Sequence, residues 1–442
     1  MRLASLVATT MFLAASAASA FAAEAPPSPT PINPRAIAGE VAQAVDDAYF
    51  DPAKAHKIAE GLRAQAQSGA FDRLSNPLDL AAALSAWLHP FDGHFVVMHR
   101  PNADPPGGPR HGGPGMGPDS LLARQNYGFA RTEMLPGGIG YIAVTQFAPI
   151  DARSPTDPSR MAADAALQSV AGARALVLDL RDSRGGDSAM VAYLASYFVP
   201  AKADIFNTFH TRGESGSEAP IVDPTGPRRL DTPLYILVNG GSGSASESLP
   251  YTLQAARRAT IVGEPTNGRA NPGGLMRMSN GFSVFVSNGS PENPITHSNW
   301  EGTGVKPDVA VASADALRRA QELALQALLA ADPKGPGAAE LRWLLDDMHA
   351  TPAALGAQAL QAYVGNYGGE ASITMTTSEG GAFLVLHQGR RAAMLRALGA
   401  DLFASALDPL VHAQFERVDG RVIAVTLMTP AGAVARFTRT PS

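Results

Sequence analysis

Between residues 139 and 262 the chain alternates short apolar runs with stretches of helical periodicity, and that alternation limits its fold more than any other feature. The runs lie at 139–144, 175–180 and 234–238, and helical spacing is seen near 159–170 and 188–198. Strands that return through helices pair in parallel, so the pattern implies an α/β core. In such sheets ligands collect beyond the carboxyl ends of the strands, which directs attention to the loops after Leu180 and Val238.

The rest of the chain reads as two further units. Before the core, Ile37, Val41, Val45 and Tyr49, then Ile58 and Leu62, then 78–88 recur at helical spacing, predicting an N-terminal helical domain over 24–100. A Pro and Gly tract at 101–118 reads as a linker or loop, and the α/β domain is expected over 119–332. Asn280-Gly281, between apolar runs at 275–278 and 282–286, signals a hairpin within it. An amphipathic run at 314–331 closes this part, and Pro333, Gly335, Pro336 and Gly337 suggest a linker. Beyond it a C-terminal β domain is expected over 338–442, where from Tyr363 onward short apolar runs alternate with turn residues, which predicts a small antiparallel barrel or sandwich. At 442 residues with 45% hydrophobic content, the chain can bury several cores.

Residues 1–22 show the pattern of a secretory signal: Arg2, an apolar run from Leu3, then small residues at Ala18, Ala20, Ala22 and Ala23. The alternative is a retained anchor, against which the run's Ala, Ser and Thr content argues. The chain has no cysteine, which removes disulfides, thiolate metal sites and a cysteine nucleophile. A bacterial periplasmic or secreted location is therefore expected, with no integral membrane segment once the signal is removed. A net charge of -5 with interspersed signs offers no basic stripe for nucleic acid. The histidines lack metal-ligand spacing, and no cofactor is expected.

Two loops could carry chemistry. The first reads Arg181-Asp182-Ser183-Arg184-Gly185-Gly186-Asp187 and leads into a helix, so its glycines can turn backbone N–H groups toward an oxyanion or simply join strand to helix. The second reads Asn239-Gly240-Gly241-Ser242-Gly243-Ser244-Ala245-Ser246-Glu247 and also opens a helix. Ser244 there is either an N-cap or a nucleophile presented at the sheet edge.

Taken together, Asp179-Leu180-Arg181 with Gly185-Gly186, then Ser244-Ala245-Ser246-Glu247, then Gly263-Glu264-Pro265-Thr266 resemble the tail-specific serine peptidases, from about Gly138 to Val311. The resemblance implies a crotonase-like spiral for the core, Ser244 as nucleophile, and an oxyanion hole of the Ala245 N–H with that of Gly185 or Gly186. It also implies a lysine base, but Arg269 stands at the aligned position. Arginine holds its proton and cannot act as one. The blocks Asp92-Gly93-His94-Phe95, Asn299-Trp300-Glu301-Gly302, Gly304-Val305 and Pro307-Asp308 resemble instead the branch of the tricorn core and the interphotoreceptor retinoid-binding proteins. That branch implies His94 as general base and Glu301 as its orienting carboxylate. No PDZ domain fits between the helical region and the first strand.

The expected activity is peptide-bond hydrolysis through an acyl-enzyme on Ser244, acting on a peptide or protein substrate, with the oligomeric state open. Two alternatives use the same scaffold: an esterase or amidase of small substrates, and a non-catalytic module binding apolar ligands.

Overall fold

In the computed structural model the described residues are 32–100, 120–350, 355–369, 371–378 and 381–440. The expected signal at 1–22 and the tract at 101–118 lie outside them. Helices α1 (Pro34–Ala48), α2 (Pro52–Gln67) and α3 (Pro77–Leu88) each begin on proline, where no amide hydrogen is needed. The preceding Asn33, Asp51 and Asn76 accept hydrogen bonds from first-turn N–H groups. Their apolar faces meet through Ile37, Val41, Val45, Ile58, Leu62, Leu84 and Leu88. The same core takes in Phe282, Val284 and Val286, so these helices share it with a strand from far along the chain.

After β1 (Val96–His99) and α4 (Leu121–Arg124) come β2 (Phe129–Leu135), β3 (Ile139–Val144), α5 (Pro158–Ser169), β4 (Ala175–Asp179), α6 (Ser188–Ser196), β5 (Thr208–Thr211) and β6 (Ser215–Ser217). Then follow β7 (Leu234–Val238), α7 (Ala245–Ala255), β8 (Thr260–Gly263), β9 (Gly273–Arg277), β10 (Phe282–Ser287), β11 (Gly289–Glu292) and β12 (Val309–Ala310). The main sheet runs β12-β8-β7-β4-β3-β2, parallel from β12 to β3, with β2 added antiparallel at the edge. Every residue of β4 and β7 is buried, as expected for strands covered on both faces.

One face packs Leu178, Ile236 and Val238 against Met190, Leu194, Leu249 and Leu253 of α6 and α7. The other packs Val177, Tyr235 and Leu237 against α8 (Ala316–Ala331) and α9 (Ala338–His349), through Ala320, Leu325, Leu341 and Leu344. Helix α9 lies within the segment 338–442 expected to be β. Its apolar residues fall at helical spacing and cover the parallel sheet, while the strands of that segment begin at Gly365, close to the Tyr363 expected.

The Asn280-Gly281 hairpin is present: both residues take positive φ, 54° and 76°, and β9 and β10 pair antiparallel on either side. With β1 they form a three-stranded sheet in the order β1-β10-β9. This sheet brings the turn before β1, which carries His94, beside the segment that follows β8.

Beyond α10 (Ala357–Gln361), eight strands from β13 (Gly365–Tyr367) to β20 (Gly432–Thr438) follow one another in a meander. Its ends meet: the Gly368 N–H donates to the Thr438 carbonyl and the Thr440 N–H to that of Asn366, both at 2.8 Å. The sheet thus nearly closes around Tyr363, Tyr367, Phe403 and Phe415. The protein is a mixed α/β core with helices and a separate C-terminal antiparallel β unit. Among the described residues no helix is long and apolar enough to cross a membrane.

Candidate active site

Ser244 ends the loop after β7 and caps α7 with φ 57° and ψ -122°. A side chain rarely adopts this conformation, and it persists only where surrounding contacts impose it. Here the loop is tied on all sides. Asn239 Oδ1 accepts from the Asp182 and Gly241 N–H groups at 2.9 and 3.0 Å, and the Ser242 hydroxyl donates to the Leu180 carbonyl at 2.7 Å. The Gly243 N–H donates to the Ser183 carbonyl at 3.0 Å. The loops after β4 and β7 therefore form one rigid body at the carboxyl edge of the sheet.

Gly185 and Gly186 differ in what their N–H groups do. The Gly185 N–H donates to the Ser246 hydroxyl at 2.9 Å, and that hydroxyl donates to Ser183 Oγ at 2.6 Å. The N–H groups of Gly186 and Ala245 have no acceptor among the described residues, and both residues line, with Ser244, a pocket of about 160 Å3. Both glycines are required: φ is 88° and 140°, and a Cβ would meet the Gly243 carbonyl oxygen at 2.6 Å or the Phe147 carbonyl oxygen at 1.9 Å. Two such N–H groups beside a hydroxyl at a helix start can hold an oxyanion.

Glu247, in the first turn of α7, is fully buried and accepts four hydrogen bonds. They come from the N–H groups of Ser244 (2.8 Å), Gly268 (2.6 Å) and Arg269 (2.9 Å) and the Thr266 hydroxyl (2.5 Å). Burial pushes its carboxyl above the ordinary range, and these donors work against that shift.

His94 sits in the turn before β1, stacked on Phe285 with ring centroids 5.6 Å apart. Its Nδ1 lies 3.7 Å from Asp92 Oδ1 and 3.8 Å from Glu301 Oε2. Glu301 accepts the Gly93 N–H at 3.1 Å on one oxygen, and those of Ala270 (2.7 Å) and Asn271 (3.1 Å) on the other. Asp92 accepts the His94 N–H at 2.8 Å and the Asn271 amide at 2.9 Å. Burial pushes the Asp92 carboxyl up, but the His94 backbone N–H and the Asn271 amide, with the His94 ring and Ser287 close by, outweigh it and hold the group down at about 2.

His94 and Glu301 are thus brought together, and residues 268–271 join them to the loop of Ser244. Asp92, His94 and Glu301 offer ligand atoms within 4.8 Å of one another, a set that could hold a cation. Both carboxylates already accept hydrogen bonds there, which suits orientation of an imidazole.

Residues 138–311 match the family model described as Peptidase family S41. Over this segment the chain is similar to the S41 peptidases. The matched segment spans every element from β3 to β12, and so holds Ser244, both glycines and Glu301, whereas His94 precedes it. A chloroplastic carboxyl-terminal-processing peptidase 2 from Arabidopsis thaliana is 32% identical over 174 residues, covering 38% of this chain and 31% of that protein. A carboxyl-terminal-processing protease from Synechocystis sp. is 34% identical over 140 residues, covering 32% and 31%. The chain spans about a third of the length of these relatives. Among solved structures, the photosystem II D1 C-terminal processing protease is 19% identical with a TM-score of 0.40, covering 64% of this chain and 94% of that one.

Two polar residues of the site carried no expected role. Asp92 stands in the block that contains His94, and its turn-forming side chain was the available signal. Glu218 lies in the polar stretch after β6 and left no signal, yet it is buried and lines the pocket beside Ser244.

Proposed function

We propose that this protein is a serine peptidase that cleaves peptide bonds through an acyl-enzyme on Ser244. His94 takes the Ser244 hydroxyl proton as Oγ bonds to the substrate carbonyl carbon. The N–H groups of Ala245 and Gly186 receive the oxyanion, while Gly185 positions that loop. The C–N bond then breaks, and the amine leaves with the proton from His94. Water then gives a proton to His94 as its oxygen bonds to the acyl carbon, the bond from that carbon to Oγ breaks, and His94 returns the proton to Ser244 as the acid leaves. Glu301 orients the imidazole, with Asp92 beside it.

The observation that carries this reading is Ser244 held at positive φ at a helix start, with two uncommitted N–H groups in the same pocket, inside the segment similar to the S41 peptidases. The strand–helix crossovers from β3 to β4 and from β7 to β8 support the expected crotonase-like spiral. Export, to the periplasm of a bacterium or the medium, rests on residues 2–23.

The test is hydrolysis of an unfolded protein and of matched peptide and ester panels, with Ser244→Ala as control. Peptide cleavage that vanishes in the variant supports the proposal. Turnover of esters alone points to a small-substrate hydrolase.

A further inference from the structure

The pocket beside Ser244 is walled by Phe209, Ala270, Pro272 and Trp300, and into this apolar lining come Ser248 and Glu218. Glu218 is 6% exposed. Its carboxylate accepts the Asn207 amide at 2.7 Å and the Ser248 hydroxyl, 3.1 Å from each oxygen. Both of these partners are neutral. Neutral donors do not balance a buried charge, which is costly unless paired or neutralised. Burial pushes this carboxyl up to about 8, against the two hydrogen bonds.

We infer that Glu218 is a specificity-determining residue that selects a basic side chain, lysine foremost, at the substrate residue whose carbonyl Ser244 attacks. The inference rests on the serine-peptidase reading above. In an acyl-enzyme the side chain of the attacked residue lies in the hollow next to the nucleophile and the oxyanion donors, and here that hollow is the pocket of about 160 Å3. The methylenes of a lysine suit its apolar walls, and the ammonium brings a cation to Glu218. An ammonium beside the carboxylate favours the charged form of Glu218, opposing the burial that pushes it up.

Glu218 also works as a partition. With Ser188 it bounds a second hollow of about 140 Å3, toward Ala192, Tyr193 and Ile221. Shortening Glu218 therefore removes the charge and opens the pocket toward this second space.

The test is a peptide series varied only at the attacked residue, with lysine, its uncharged near-isostere norleucine, and alanine. It is run on the wild type, Glu218→Gln and Glu218→Ala, with fluorophosphonate labelling of Ser244 followed in each. The wild type is expected to favour lysine over norleucine by ~10-fold or more in kcat/KM. Glu218→Gln brings that ratio close to one while labelling persists, and Glu218→Ala shifts preference toward longer apolar side chains. Labelled, active wild type with no preference for lysine overturns the inference and leaves the peptidase reading intact, whether or not the variants fold. Absence of both labelling and cleavage overturns the two together.

Discussion

Glu247 and Glu301 grip adjacent parts of one segment, Glu247 accepting the N–H groups of Gly268 and Arg269 and Glu301 those of Ala270 and Asn271. Glu247 also holds the Ser244 N–H, and Glu301 lies 3.8 Å from His94 Nδ1. The two carboxylates thus connect the nucleophile's loop to the histidine's turn through four consecutive peptide groups.

Glu301→Gln keeps an acceptor on one side only, so either the Gly93 N–H or the pair at Ala270 and Asn271 loses its partner. A part-buried amide left unbonded costs about 1–3 kcal/mol. Chemical denaturation is expected to show a loss of this size, together with a fall in kcat larger than the fall in substrate affinity.

Arg269 meets Glu247 through its backbone N–H, and its carbonyl accepts from the Trp300 indole at 3.2 Å. These contacts survive truncation of the side chain. Arg269→Ala is expected to stay within about fivefold of wild-type kcat, whereas His94→Ala loses ~100-fold or more as a general base is removed. Steady-state kinetics on one peptide substrate compares them.

The positive φ of Ser244 carries a backbone cost of about 1–3 kcal/mol that glycine relieves. Ser244→Gly is expected to raise the melting temperature while abolishing hydrolysis. Equal or lower stability in a calorimetric scan would mean that the loop is not strained there.

Asp92 titrates near 2 in the folded protein against an ordinary value of 3.8, so it binds fewer protons folded than unfolded between those values. Its contribution, about 2 kcal/mol, is fully present above about pH 4 and is lost as pH falls through about 2. Asp92→Asn is expected to flatten the acid limb of stability against pH, measured by urea denaturation from pH 7 downward.

The parallel core is legible in the sequence because β4 and β7 are buried on both faces and so read as unbroken apolar runs. The hairpin at Asn280-Gly281 is legible because its backbone needs positive φ at both positions. Helix α9 is not, since the Pro and Gly residues at 333–337 read as a linker between units, whereas they turn the chain so that Leu341 and Leu344 cover the same sheet as α8. Gly185 and Gly186 look alike in sequence, and only the Ser246 hydroxyl, 61 residues away from Gly185, separates their roles. Glu218 reads as one polar residue among many, because its burial comes from Asn207 and from Ser248 on α7.

Labelling the folded protein with a fluorophosphonate, and mapping the adduct by mass spectrometry, shows whether the hydroxyl of Ser244 is activated. The expected result is a single adduct on Ser244, absent in Ser244→Ala, strongly slowed in His94→Ala and unchanged in Arg269→Ala. Folded wild type that remains unlabelled, or His94→Ala labelled at the wild-type rate, would rule out Ser244 as a nucleophile activated by His94.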